Sequence, residues 1–180
     1  MKRSKNTKSH HLISLFHISP SPHTAGQGAA FARNRVIEQS HGEYICCLDA
    51  DDMMSTQNQY IPDAPQIGLR IEIQLQIAKE NPEALIGSNF IRYPEDATHR
   101  YTNWCNRLTS EDLYLQRFRE VTIVQPTWFA NRKVFDKVGL YDDSEPLLPE
   151  DLIFFHKHLS SGGKIIKVPE VEKEFSLKFH

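Results

Sequence analysis

The chain has 180 residues, of which 24% are charged and 39% apolar, and a formal net charge of -2. That suffices for one domain with a real core; it excludes a disordered chain and any strong global attraction to nucleic acid or membrane. Three cysteines, two of them adjacent at Cys46 and Cys47, form neither a disulfide framework nor a Cys-x-x-Cys zinc spacing, so a reducing compartment, the cytoplasm, is expected.

Residues 1–11 carry Lys2, Arg3, Lys5 and Lys8 without an acid and read as a solvated tail. The apolar stretch Leu12 to Ile18 reads as a short buried strand. Ser14 and His17 interrupt it, it has no small-residue cleavage site, and no run nears the ~20 apolar residues of a membrane span, so neither a signal peptide nor a membrane partner is expected. A proline- and glycine-punctuated loop leads to a helix over 29–39, with Ala29, Ala32, Val36 and Ile37 on helical spacing. A turn at Gly42 and a strand from Tyr44 to Leu48 follow. Residues 55–66 are polar, proline-interrupted loop. The stretch 67–80 is expected to be a helix, although its apolar residues alternate as in a strand. A strand over 84–90 and a long irregular segment to residue 107 come next. Then come a helix capped at Thr109 or Ser110, and a strand from Val121 that ends near Pro126. A short helix closes at Gly139. Another, with Pro149 in its first turn, stops at Gly162 and Gly163. Lys164 to Val168 is the last strand. Strands alternating with helices predict a parallel, doubly wound α/β sheet, whose ligands bind beyond the carboxyl ends of its strands.

Asp49, Asp51 and Asp52 sit at such an end. Three carboxylates this close repel one another, and a divalent cation would turn that repulsion into coordination. An EF-hand would need glycine and glutamate at the sixth and twelfth loop positions, but counting from Asp49 these are Met54 and Tyr60. An Asp-x-Asp phosphatase fits poorly, because that motif sits near the start of its domain and continues with Thr or Val.

The ordered series from Gly26 to Asp52 resembles the donor-binding half of the family 2 glycosyltransferases of GT-A fold. These carry an Ala-Arg-Asn helix (here Ala32, Arg33, Asn34), a Gly-Glu-Tyr turn (Gly42 to Tyr44) and a strand ending in Asp-x-Asp. The resemblance implies a GT-A fold with a mainly parallel central sheet and a UDP-sugar donor. Arg33, Asn34 and Asp49 would face the nucleotide, and Asp51 and Asp52 would hold Mn²⁺ or Mg²⁺. Glu150 and Asp151 resemble the family's acceptor-side acids. Asp151 is then the general base that takes the acceptor hydroxyl's proton in an inverting transfer, with Glu150 beside it.

The stretches at 19–22, 100–104, 108–113, 126–129, 138–139 and 149–159, taken in order, carry a closer resemblance, from Leu12 to about Glu170, to the beta-1,3-N-acetylglucosaminyltransferase-like protein 1 family, associated with galactosyl transfer to queuosine in tRNA. It implies UDP-galactose as donor, or UDP-N-acetylglucosamine by the older name, and a tRNA acceptor. Trp104 and Trp128 are its candidate acceptor contacts, while a tryptophan beside a strand is more often core. Relative to the family pattern the first strands are missing, 55–66 reads as an insertion, 171–180 as a tail, and His180 lacks the context of a late metal-binding histidine. The expectation is a partial GT-A domain over 12–170, with a non-catalytic binding domain as its rival.

Overall fold

The computed structural model describes residues 27–49, 52, 68–92, 94, 97–168 and 177–179. The expected strand at 12–18, the loop at 55–66, Asp51 and His180 lie outside them.

Helix α1 (Gly28–Gln39) leads to strand β1 (Tyr44–Cys46), helix α2 (Gly68–Glu80), and strands β2 (Ala84–Gly87) and β3 (Phe90–Arg92). Helices α3 (His99–Arg107) and α4 (Asp112–Leu115), strand β4 (Phe129–Asn131), helices α5 (Arg132–Val138) and α6 (Glu150–Ser160), and strands β5 (Lys164–Lys167) and β6 (Leu177–Phe179) complete the order.

The fold is mixed α/β. Four strands form one sheet in the order β1-β4-β2-β5, and β3 pairs with β6 in a second. β4 runs antiparallel to both neighbours, whereas β2 and β5 are parallel. This corrects the expectation of a mainly parallel sheet. Alternation of strands and helices does not reveal that β4 enters between β1 and β2 in the opposite sense.

Successive strand side chains point to opposite faces, and the core divides accordingly. Leu85 and Ala130 pack with α1, α5 and α6 through Ile37, Phe135, Phe154 and Phe155. Ala84, Ile86 and Phe129 face α2 through Ala78. The period-2 pattern in α2 is resolved by burial. Arg70, Gln74 and Ala78, four residues apart, are its buried positions, while the alternating isoleucines and Leu75 are half-buried along its flanks.

Four further elements differ from expectation. The segment expected to be irregular contains α3, whose Thr102 and Cys105 are buried, Cys105 against Phe90 and Val124. The strand expected from Val121 gives way to a 3-10 turn over Gln125–Thr127, where Pro126 has no N–H for a ladder, and pairing begins only at Phe129. The strand expected over 84–90 divides at Ser88 between the two sheets. The segment read as a C-terminal tail contributes β6.

Local capping agrees with the sequence at two helices. Thr109 and Asp112 exchange bonds, Asp112 N–H to Thr109 Oγ1 at 3.2 Å and Thr109 N–H to Asp112 Oδ2 at 3.0 Å. α5 ends at Gly139, whose φ of 92° is unfavourable for other residues. Pro149 is the residue preceding α6 rather than part of its first turn. α1 has no basic residue in its last turn. Arg132 supplies that charge from α5, donating to the carbonyl oxygens of Ile37 (3.0 Å) and Gly42 (2.7 Å).

Candidate functional site

α1 carries Arg33 into a cleft between the end of β1 and the start of α6. Its Nη2 donates to Asp49 Oδ1 at 2.7 Å, and its Nη1 to Glu150 Oε1. Two acids separated by about a hundred positions are thereby joined through one planar fork, the geometry that suits guanidinium. Burial opposes the charge on Arg33, but the adjacent Asp49 more than offsets this and holds its pKa above the ordinary value. The guanidinium also lies 5.9 Å from the ring centre of the buried Tyr141.

Asn34, the next residue on α1, is buried and fully engaged. Its Nδ2 donates to the Tyr141 carbonyl (2.9 Å) and to Asp143 Oδ2 (3.2 Å), while its Oδ1 accepts from the Tyr141 N–H (2.9 Å). This corrects its assignment as a nucleotide contact: Asn34 clamps the loop after α5, and so fixes Tyr141 beneath Arg33.

The Asp52 N–H donates to the Asp49 carbonyl at 3.1 Å. Among the described residues no three His, Cys, Asp or Glu groups gather in an arrangement that could hold a metal ion. Asp49 and Glu150 do not fit such a role here, because Arg33 already stands between them. Asp51 lies outside the described residues.

Asp151 is half-buried in the first turn of α6, and its Oδ1 accepts the Leu152 N–H at 2.7 Å. Burial raises its pKa above the usual carboxylate range. The Leu152 N–H opposes that, Glu150 adds to it by repulsion, Arg33 opposes it, and Glu120 adds to it again. A carboxylate with a raised pKa is the better proton acceptor near neutrality. Glu150 itself serves as partner to Arg33 rather than sharing that role.

An aromatic wall borders this acid. Tyr101 packs at 5.7 Å against Trp104 and at 6.1 Å against Phe90, and its own hydroxyl is pushed up by burial, with smaller contributions from Cys105, Glu120 and Asp151. Trp104 is half-buried, with its indole N–H donating to Gln116 at 2.7 Å and the Arg119 guanidinium over its ring at 4.9 Å. Trp128, by contrast, is 0% exposed, bonds to the Ile123 carbonyl and packs against Tyr141 and Phe154. Its assignment as an acceptor contact is corrected: it is core, and no surface ligand reaches it in this arrangement.

Tyr141 and Glu120 were not legible as site residues, since nothing in their neighbouring sequence distinguishes them from a core aromatic or a surface acid. Burial pushes the Cys47 thiol up to about 12 and the Cys105 thiol to about 11, so neither is a thiolate near neutral pH.

No protein-family model matches the chain. Among the described residues no helix is long and apolar enough to cross a membrane.

Proposed function

We propose that this chain is a glycosyltransferase domain of GT-A family 2 type, moving a sugar from a UDP-sugar to an acceptor hydroxyl with inversion. The supporting observation is the Arg33 junction. The resemblance assigns Asp49 to the donor side and Glu150 and Asp151 to the acceptor side, and these distant motifs meet at one guanidinium. Such a meeting is expected if both motifs serve one reaction, and is not required if each merely ends a strand or starts a helix.

In this reading the acceptor oxygen attacks the anomeric carbon as the bond to the UDP oxygen breaks. Asp151 accepts the hydroxyl proton, and UDP leaves with the bonding pair. Arg33, a fixed positive group at the cleft, favours the diphosphate end of the donor. Tyr101 and Trp104 form a wall on the acid's side against which a planar or sugar acceptor can lie. A divalent cation, Mn²⁺ or Mg²⁺, would be held by Asp51 and Asp52, and its chemistry is neutralisation of the departing diphosphate. UDP-galactose and a queuosine-bearing tRNA are the donor and acceptor implied by the closer resemblance.

The second reading, a domain that binds a nucleotide without transfer, is favoured by one observation: Arg33, Asp49 and Glu150 already compensate one another's charge, so none of the three calls for a cation. Calorimetric titration of UDP with and without Mn²⁺ tests both. Metal-dependent binding that is lost in Asp51→Ala, together with sugar transfer lost in Asp151→Asn, supports the transferase. Binding without transfer to any tested acceptor supports the second reading, and no binding by folded protein overturns both.

A further inference from the structure

His158 near the end of α6 and Gly163 beyond it line a half-open depression of about 140 Å³, with Pro82, Val134 and the stems of Lys133 and Lys137. Its walls are almost wholly apolar. A cavity of roughly this size takes a benzene-sized molecule, and a leucine side chain is no larger. Lys133 and Lys137 lie one turn apart on α5 and are exposed, so their stems form wall while their ammonium groups reach the rim. Glu83, the acid on that rim, is paired with Lys164 at 2.7 Å, which leaves the rim net positive. A fitting occupant is therefore apolar at its tip and acidic around it.

The turn before α6 has that character. Among the described residues Leu147 is the most exposed large apolar side chain, at 97%. From Tyr141 to Asp151 the chain holds Asp142, Asp143, Glu145, Glu150 and Asp151 and no lysine or arginine. Arg33 engages Glu150 and Ser144 engages Asp142, but Glu145 is exposed two positions from Leu147. Pro146 and Pro149 fix the backbone on both sides of Leu147, so little freedom is lost on docking. The turn also rests on α1: a Cβ at Gly28 would come within 2.8 Å of the Pro146 carbonyl oxygen. Lone exposed leucines are ordinary, and charge is what selects this one. Phe118 and Leu115, the next most exposed, have Arg117 and Arg119 beside them, and the Arg117 guanidinium lies 4.5 Å over the Phe118 ring. A rim of lysines repels that patch.

Leu147 does not fill the depression of its own chain. It precedes α6, whereas the depression lies at the far end of that helix, and 11 residues at a rise of 1.5 Å make α6 about 16 Å long. We propose that the depression takes Leu147 of a second copy of this chain, with that copy's Glu145 against Lys133 and Lys137. The contact joins two different patches, so it either closes reciprocally between two copies or runs on head to tail. One side chain and its rim bury far less than the ~1,200 Å² of a stable complex, so the association is weak and depends on concentration and salt. It is independent of the proposed transfer, and the result of the UDP titration does not bear on it.

The test is sedimentation equilibrium over a range of protein concentrations. The weight-average mass of the wild-type chain should rise with concentration. Leu147→Ser, and separately Lys133→Glu combined with Lys137→Glu, should each stay monomeric. All three positions are exposed, so both variants should fold, which circular dichroism checks. Mixed together, the two variants should associate again and go no further than a dimer, since one keeps the depression and the other keeps the leucine. A wild-type chain that is monomeric at every concentration, association that survives in either variant alone, or variants that stay monomeric when mixed would each overturn the proposal.

Discussion

Two arginines divide this molecule into contrasting regions. Arg33 lies in the cleft between β1 and α6 with a carboxylate on each side. Arg70 is 7% exposed at the start of α2, on the far side of the sheet, and among the described residues it has no carboxylate partner. Its Nε donates to Gln74 Oε1 at 2.9 Å and its Nη2 to the Pro126 carbonyl at 3.3 Å, while Nη1 is left without a partner. Burial lowers the Arg70 pKa, whereas Asp49 keeps that of Arg33 raised. The neutral network at Arg70 is architectural. Gln74 Nε2 also donates to the carbonyls of Thr127 (2.9 Å) and Ile86 (3.4 Å), so one helix face ties β2 to the 3-10 turn. The charged junction at Arg33 is instead part-buried, with side-chain exposures of 21% for Arg33, 35% for Asp49 and 18% for Glu150. The same side chain is thus held in two ways, by neutral acceptors at Arg70 and by converging carboxylates at Arg33.

The largest effect on that contrast should come from Gln74→Leu. It strands two carbonyls and the Arg70 Nε in the core, and should lower unfolding free energy by about 3 kcal/mol in urea melts. A loss under about 1 kcal/mol would show that the network is not architectural. Arg33→Leu should lower stability by only about 1 kcal/mol, since its partners can return to water, yet abolish UDP binding by calorimetry. If it proves as destabilising as Gln74→Leu, the two regions are alike after all.

A smaller effect is set by pH. The His158 pKa is depressed, so below about 6.5 the unfolded chain takes up a proton that the native ring does not. His158 thus contributes stability that is present above that pH and lost as pH falls toward the folded value. Urea melts at pH 7.5 and 5 should show the loss, and His158→Gln should flatten it. Smallest on stability is Asp151→Asn. The raised pKa means that the native state keeps its proton while the unfolded chain releases one, so stability declines as pH rises from about 3.8 through the folded value. The amide should therefore leave stability at pH 7 equal or slightly higher while abolishing transfer. A clear drop in melting temperature would make Asp151 a structural acid.

Much of the fold was readable where local rules act. α1, α5 and α6 follow from 3.6-residue spacing and their glycine stops, and β5 from its apolar run. The direction of β4, the break at Ser88 and the helix α3 were not, since each depends on partners distant in sequence. In the site, Arg33, Asp49, Glu150 and Asp151 were singled out by motif and are brought together. Asn34 and Trp128 belonged to equally suggestive motifs and turned out to be structural, because a motif names a residue without saying which way its side chain points.

The sequence by itself determined where α1 and α5 lie, where α6 stops, and which acids follow β1. Those outcomes depend on contacts within a few residues: backbone spacing, capping bonds and turn-forming glycines. Only the tertiary structure decided that Arg33 would be shared by Asp49 and Glu150, that Asn34 would clamp Tyr141, and that the His158 ring would be buried against Gly163. Each of these pairs atoms brought near by the packing of helices on the sheet, and that packing is settled by the summed burial of the whole core rather than by any local stretch.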